Sequence, residues 1–180
     1  MIMKLIKFLA AAAMAVLAIG CAKEQVDPDG QETNVTFNAS LPGGINTRAI
    51  GDGTTANELV VAVYDNATGE ELAGLRQTKD INISTTVQFN LVKGKTYSFV
   101  FWAQAKGNNY YNIADLRNII VDYTGKNAND ESRDAFFATR MDMKVDGAMN
   151  ETVKLHRPFS QVNFGTTGFD EAKAAGFVPT

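Results

Sequence analysis

The chain has 180 residues, 45% of them apolar, and its 17 basic and 20 acidic side chains leave a formal charge of −3. No basic run or stripe occurs, which excludes nucleic acid as a partner and electrostatic attachment to anionic lipid. One cysteine and one histidine exclude a disulfide framework and a histidine-based metal cluster.

In chain order, Lys4 and Lys7 form a short positive region before an unbroken apolar run from Phe8 to Ile19, followed by Gly20 and Cys21. The run is far shorter than the roughly 20 residues that span a bilayer core, and its pattern is that of a cleaved export signal over residues 1–20. Leu17-Ala18-Ile19-Gly20-Cys21 resembles a bacterial lipobox, in which the cysteine becomes the diacylglyceryl-modified first residue of the mature protein. The other reading is an ordinary signal with an incidental cysteine. The position of Cys21 at the end of the run, as the sole cysteine, favours the lipid. Removal of the signal leaves 15 basic against 20 acidic residues. With its thiol acylated, the exported domain is expected to be held by its apolar core alone. Residues 21–33 are polar and acidic, contain Pro28 and Gly30, and read as a flexible tether. Lys23-Glu24, close to the cysteine, resembles the surface-export signal of Bacteroides-type lipoproteins. The Asp27-x-Asp29-Gly30 fragment lacks the later ligands of a calcium loop.

From Asn34 to the end, residues 34–180 read as one domain. Val35, Phe37, Ala39 and Leu41 alternate with Thr36, Asn38 and Ser40, as in a strand with one buried face, and Pro42-Gly43-Gly44 ends it. Leu59 to Tyr64 is continuously apolar, which suits a strand buried on both faces, and Asp65 to Gly69 turns it. Ile81 and Ile83 are expected to begin another strand, continued by Val87, Phe89 and Leu91. Lys93-Gly94-Lys95 leads into Tyr97 to Trp102, and the pair reads as a hairpin. Further strands are expected at Ile119–Tyr123, Phe136–Phe137, Met141–Val145, Val153–Leu155 and Phe159–Phe164. One helical turn at Ile113–Leu116 and a short helix over Asp170–Ala175, closed by Gly176, complete the list. Many short strands with turn chemistry between them indicate an all-β fold, a sandwich or small barrel. The chain stops at Phe177-Val178-Pro179-Thr180 with no terminal strand, and we expect it to be the amino-terminal part of a longer protein.

Catalytic constellations are missing from the sequence. An acylated Cys21 leaves no thiol, His156 has no Gly-x-Ser-x-Gly elbow to serve, and neither a phosphate loop nor a dinucleotide fingerprint occurs. His156 reads as a solvent-facing residue at a strand end. The acidic group of Asn127, Asn129, Asp130, Glu131 and Asp134 suits a cation or paired carboxylates, and equally a solvated loop. The chain is expected to be non-enzymatic, with no cofactor and no metal. Trp102, Tyr110 and Tyr111 bracket the polar segment 103–109 and offer rings beside amides, as a sugar-binding surface needs. The alternative places Trp102 at the end of a core strand with the tyrosines over the rim, and it is the favoured reading.

The lipobox, the Val35–Leu41 strand, the loop from Pro42-Gly43-Gly44 to Thr47-Arg48-Ala49 and the Leu59–Tyr64 strand together resemble the fimbrillin-like lipoproteins of Bacteroides-type bacteria, in an uncharacterised branch. Phe99-Val100-Phe101-Trp102-Ala103-Gln104, Arg133-Asp134-Ala135-Phe136-Phe137 and Arg157–Phe164 extend the resemblance. It implies Greek-key, transthyretin-like β-sandwich domains, two per chain, and a role as subunit, anchor or tip adhesin of type V pili. It implies lipidation at Cys21 and proteolytic processing between Arg48 and Ala49, which frees the first strand for exchange with a neighbour's donor strand. The implied partners are the outer membrane, through the lipid, and other pilus subunits or host ligands. A surface glycan-binding lipoprotein of a polysaccharide-uptake system, using Trp102, Tyr110 and Tyr111, is the alternative. The second domain and the carboxy-terminal donor segment are not in the chain, so self-polymerisation is not implied.

Overall fold

A computed structural model describes residues 30–42, 54–126, 130–159 and 168–176. The elements are β1 (Glu32–Ser40), β2 (Glu58–Asp65), β3 (Gln77–Asp80), β4 (Ser84–Val92), β5 (Thr96–Gln104), β6 (Tyr111–Asn112), β7 (Ile120–Val121), β8 (Ala135–Lys144), β9 (Met149–Lys154) and α1 (Phe169–Ala174), with short 3-10 turns at Ala73–Leu75 and Glu131–Arg133. One sheet has the order β4-β1-β9, a second the order β3-β2-β5-β8, and β6 and β7 form a small ribbon. The fold is the all-β sandwich expected from the alternation. Among the described residues no helix is long and apolar enough to cross a membrane.

The main core lies between the two larger sheets. Val35, Phe37 and Ala39 of β1 and Val87, Phe89 and Leu91 of β4 face Leu59, Val61 and Val63 of β2 and Phe99 and Phe101 of β5. The period-two pattern of β1 therefore does what the pleat requires: odd positions go in and even positions go out. The strand over 58–65 is buried on both faces, as its unbroken apolar run implies, because Val60, Ala62 and Tyr64 lie under a second apolar layer. That layer is carried by the long excursion between β5 and β8, which lays Tyr110, Tyr111 and Leu116 across the outer face of the second sheet.

Three expectations fail on pairing. β4 and β5 are not a hairpin: β4 pairs with β1, and β5 pairs with β2 and β8. The Lys93-Gly94-Lys95 turn is a corner between sheets, with Gly94 at φ 84 and its N–H donated to the Val145 carbonyl at 2.8 Å. Lys93 donates to Gln31 at 2.9 Å, so the turn's hydrogen bonds go to other elements rather than across the pair. Buried Tyr97 pins the corner by accepting the Val92 N–H at 3.2 Å on its hydroxyl. Ile83 does not belong to a strand either. It sits at φ 69 and is 68% exposed, whereas Ile81 is buried and donates its N–H to the Asn57 carbonyl at 3.0 Å. The chain leaves the second sheet at Ile81 and enters the first at Ser84, and the kink at Ile83 is the crossing. Finally, the separate strands expected at Phe136–Phe137 and Met141–Val145 are one strand, β8, with a bulge opposite Tyr97–Phe99. Asp142, at φ 55, occupies the bulge and flips the alternation, so that Met141 is exposed while Met143 packs against the core.

The polar strand β3 carries no strand signal in the sequence, since Gln77-Thr78-Lys79-Asp80 has no apolar period. The segment 119–123 contains only the two-residue β7, and the turn expected at 113–116 falls two residues later, over 115–118, where the Asn118 N–H is donated to the Asp115 carbonyl at 3.1 Å. The short helix is present as α1, and Gly176 follows it at φ 88. Most of Phe159–Phe164 lies outside the described residues.

Candidate functional site

β1 is the first described strand of the chain, yet it is the middle strand of its sheet. It runs antiparallel to β4, with Val35 opposite Phe89 and Phe37 opposite Val87. It runs parallel to β9, with Val35 opposite Met149 and Ser40 opposite Lys154. On its inner face Val35, Phe37 and Ala39 are fully buried. The Phe37 ring lies 4.7 Å from that of Phe99, 5.3 Å from Phe101 and 6.3 Å from Phe89, tilted or edge-on to each. On the outer face a polar ladder crosses the sheet: Thr86 Oγ1 donates to Asn38 Oδ1 at 3.0 Å, and Asn38 Nδ2 donates to Asn150 Oδ1 at 2.8 Å. Asn34 Nδ2 reaches Asn90 Oδ1 at 3.4 Å. This ladder sets the register of β1 against both neighbours, because a one-residue slip would drive the asparagines into the core. β1 therefore fills a slot with an apolar floor, hydrogen-bonding edges on two sides and a polar rim.

The Arg48-Ala49 pair and Cys21 lie outside the described residues, as do Asn127 and Asn129 of the acidic group. Of the rest, Asp130 and Asp134 are tied into structure by their side chains, and Glu131 is exposed. The Asp130 carboxylate accepts from Ser132 N at 2.9 Å and Ser132 Oγ at 2.6 Å, and from the Tyr110 hydroxyl. These bonds, the Ser132 hydroxyl first, hold its carboxyl below the usual carboxylate range. Asp134 and Arg157 form a two-pronged ion pair at 2.8 and 2.9 Å. Among the described residues no group of three or more His, Cys, Asp or Glu side chains could hold a metal ion. His156 is exposed and takes part through its backbone, exchanging hydrogen bonds of 2.8 Å with Phe137.

Trp102, Tyr110 and Tyr111 come together, but inside the second apolar layer: they are 3%, 5% and 6% exposed. Trp102 meets the Tyr111 ring edge-on at 5.2 Å, and its indole N–H donates to Gln104 Oε1 at 2.9 Å. The Tyr111 hydroxyl donates to the Arg133 carbonyl, and the Phe159 ring stacks on Tyr111 at 6.1 Å. The amide of Asn108 is spent locally, on the Tyr110 N–H and the Ala105 carbonyl. No open ring face is offered to a sugar at these three residues. The core reading of the aromatics describes their position.

The phenols record this burial. Desolvation first, then the carboxylates of Glu71 and Asp115, push Tyr64 up to about 12, and burial likewise raises Tyr111. A phenol whose folded value is raised supports the fold up to its unfolded value, near 10.0, and that contribution is lost as pH climbs through the folded one. Spectrophotometric titration is expected to show Tyr64 ionising late, together with loss of structure between pH 10 and about 12. Tyr64→Phe should remove part of the late absorbance. Complete phenolate formation near pH 10 with the fold intact would contradict this arrangement.

A family model described as a family of unknown function, DUF6562, matches residues 25–179. No curated protein matches the chain. Among solved structures, a candidate adhesin from Bacteroides ovatus is similar over 76% of this chain and 50% of its own, at 11% identity and a TM-score of 0.42. S.CueP is similar over 71% of this chain and 63% of its own, at 8% identity and a TM-score of 0.31. A leucine-rich repeat protein from Bacteroides thetaiotaomicron is similar over 70% of this chain and 12% of its own, at 14% identity and a TM-score of 0.29. The chain thus spans half the length of the Bacteroides ovatus protein.

Proposed function

We propose that this chain, which belongs to the family of unknown function DUF6562, is a non-catalytic, lipid-anchored β-sandwich of the bacterial cell surface that acts in pilus assembly or adhesion through exchange of its first strand. The observation that carries the reading is the position of β1: the strand that follows the tether is the central strand of the sheet β4-β1-β9. A cut between Arg48 and Ala49 would sever it from every element that surrounds it. Its large apolar side chains, Val35 and Phe37, contribute about 1.5–3 kcal/mol each on burial, an upper estimate. A severed β1 would therefore stay seated until a strand with the same alternation displaced it by adding to the free edges of β4 and β9. The fimbrillin resemblance of the sequence points the same way. The glycan-binding alternative is weakened because the rings of Trp102, Tyr110 and Tyr111 are buried.

The test is amino-terminal sequencing and mass spectrometry of the protein taken from the cells that make it. Two forms are expected: an anchored one that begins at acylated Cys21 and is lost in Cys21→Ser, and an assembled one that begins at Ala49. If every molecule begins at acylated Cys21, strand exchange is wrong and the chain is a permanent anchor. Protein that still contains Cys21 but carries no acyl group on it, in the soluble fraction, overturns the anchor itself.

A further inference from the structure

The second apolar layer does not cover the whole outer face of the sheet β3-β2-β5-β8. Between the excursion and the edge strand β8 it leaves an open groove of about 420 Å³. Val100 and Trp102 of β5 lie at its base, and Phe137 and Met141 of β8 form one wall. Leu116 and Ile119 form the other, with Arg117 between them. Phe137 is 38% and Met141 54% exposed, so the wall on β8 presents apolar side chains to water that nothing among the described residues covers. The volume falls in the range of small-molecule sites, about 300–1,000 Å³.

The one charged group in the lining is Arg117. Its guanidinium lies 3.6 Å above the Tyr64 ring, and Nη1 donates to the Gly69 carbonyl at 2.7 Å. Those two contacts hold the planar fork in place, and Nη2 and Nε have no partner among the described residues. The neighbouring anion, Asp115, already accepts the Arg117 backbone N–H at 2.9 Å and the Tyr64 hydroxyl at 3.4 Å. An apolar trough with a fixed, half-used guanidinium at its side is complementary to a molecule with an apolar body and one carboxylate, which matches the guanidinium fork in geometry and charge.

We propose that this groove binds a small amphipathic carboxylate, with its apolar body along Phe137 and Met141 and its anionic end on Arg117. Trp102, the only tryptophan of the chain, lies at the base of the groove, and its emission reports occupancy. The full chain is titrated with decanoate below its micelle range, with decanol, which has the same chain without the charge, and with acetate, which has the charge without the chain. Decanoate is expected to shift the Trp102 emission saturably, decanol to bind about tenfold more weakly, and acetate to have no effect. Arg117→Gln should bring decanoate to the level of decanol and leave decanol unchanged. Met141→Glu, at an exposed side chain, should abolish both without moving the thermal melt. The proposal is overturned if decanoate gives no saturable shift, if Arg117→Gln leaves its affinity unchanged, or if binding survives Met141→Glu.

Discussion

Phe37→Ala is expected to destabilise the fold by about 3–5 kcal/mol, the cost of a large core aromatic lost to a cavity. Against a total stability of ~5–15 kcal/mol for a domain, that is enough to leave much of the chain unfolded at moderate temperature. The magnitude follows from position. Phe37 is fully buried, and its ring is the meeting point of Phe89 from its own sheet and Phe99 and Phe101 from the facing one. Removal of the ring breaks the contact between sheets at the strand on which the proposed exchange depends. Thr36→Ala on the polar face of the same strand should cost no more than about 1 kcal/mol, the loss of one exposed hydrogen bond to Asn34 and of some strand propensity. Urea unfolding of both variants checks the pair. A Phe37→Ala midpoint equal to that of the unaltered protein would mean that β1 does not carry the core, and the slot would lose its energetic basis.

Trp102→Ala should cost a comparable amount, about 3–5 kcal/mol, on the outer face of the other sheet, β3-β2-β5-β8. Here the loss has two parts. The indole leaves a hole under Tyr111, and the buried Gln104 amide oxygen loses the N–H that satisfies it. Trp102→Phe keeps an aromatic ring but loses the donor and part of the indole's volume, so it should fall between the unaltered protein and the alanine variant. A thermal melt distinguishes this role from a carbohydrate platform: an exposed platform ring could be removed with the melt unaltered and sugar binding lost. That result would mean the excursion between β5 and β8 does not lie on the sheet as described.

The alternation of Val35, Phe37 and Ala39, the unbroken run from Leu59 to Tyr64 and the short helix before Gly176 were legible directly, because each depends on a local period. A pleat sends alternate side chains to opposite faces whatever the strand's neighbour is, and a helix closes on its own backbone. The all-β class followed from these periods, and so did the burial of β2 on both faces. Choice of partner did not. Every residue of a strand carries the same donor and acceptor, so Lys93-Gly94-Lys95 could announce a reversal but not whether β4 and β5 would pair edge to edge or face each other across the core. That was decided by β1 and β8, which occupy the edges a hairpin would have used. The same holds for β3, whose polar residues have no period and which is a strand only because the edge of β2 was free to take it. It holds also for Trp102, Tyr110 and Tyr111: their amphipathic rings suit a wet surface or a covered one, and only the path of residues 105–126 over the outer face of the sheet makes them core. The parallel seating of β1 beside β9 joins segments more than a hundred residues apart, Asn38 to Asn150 among them, and it is the packing of Val153 with Phe37 in one shared core that brings those edges together.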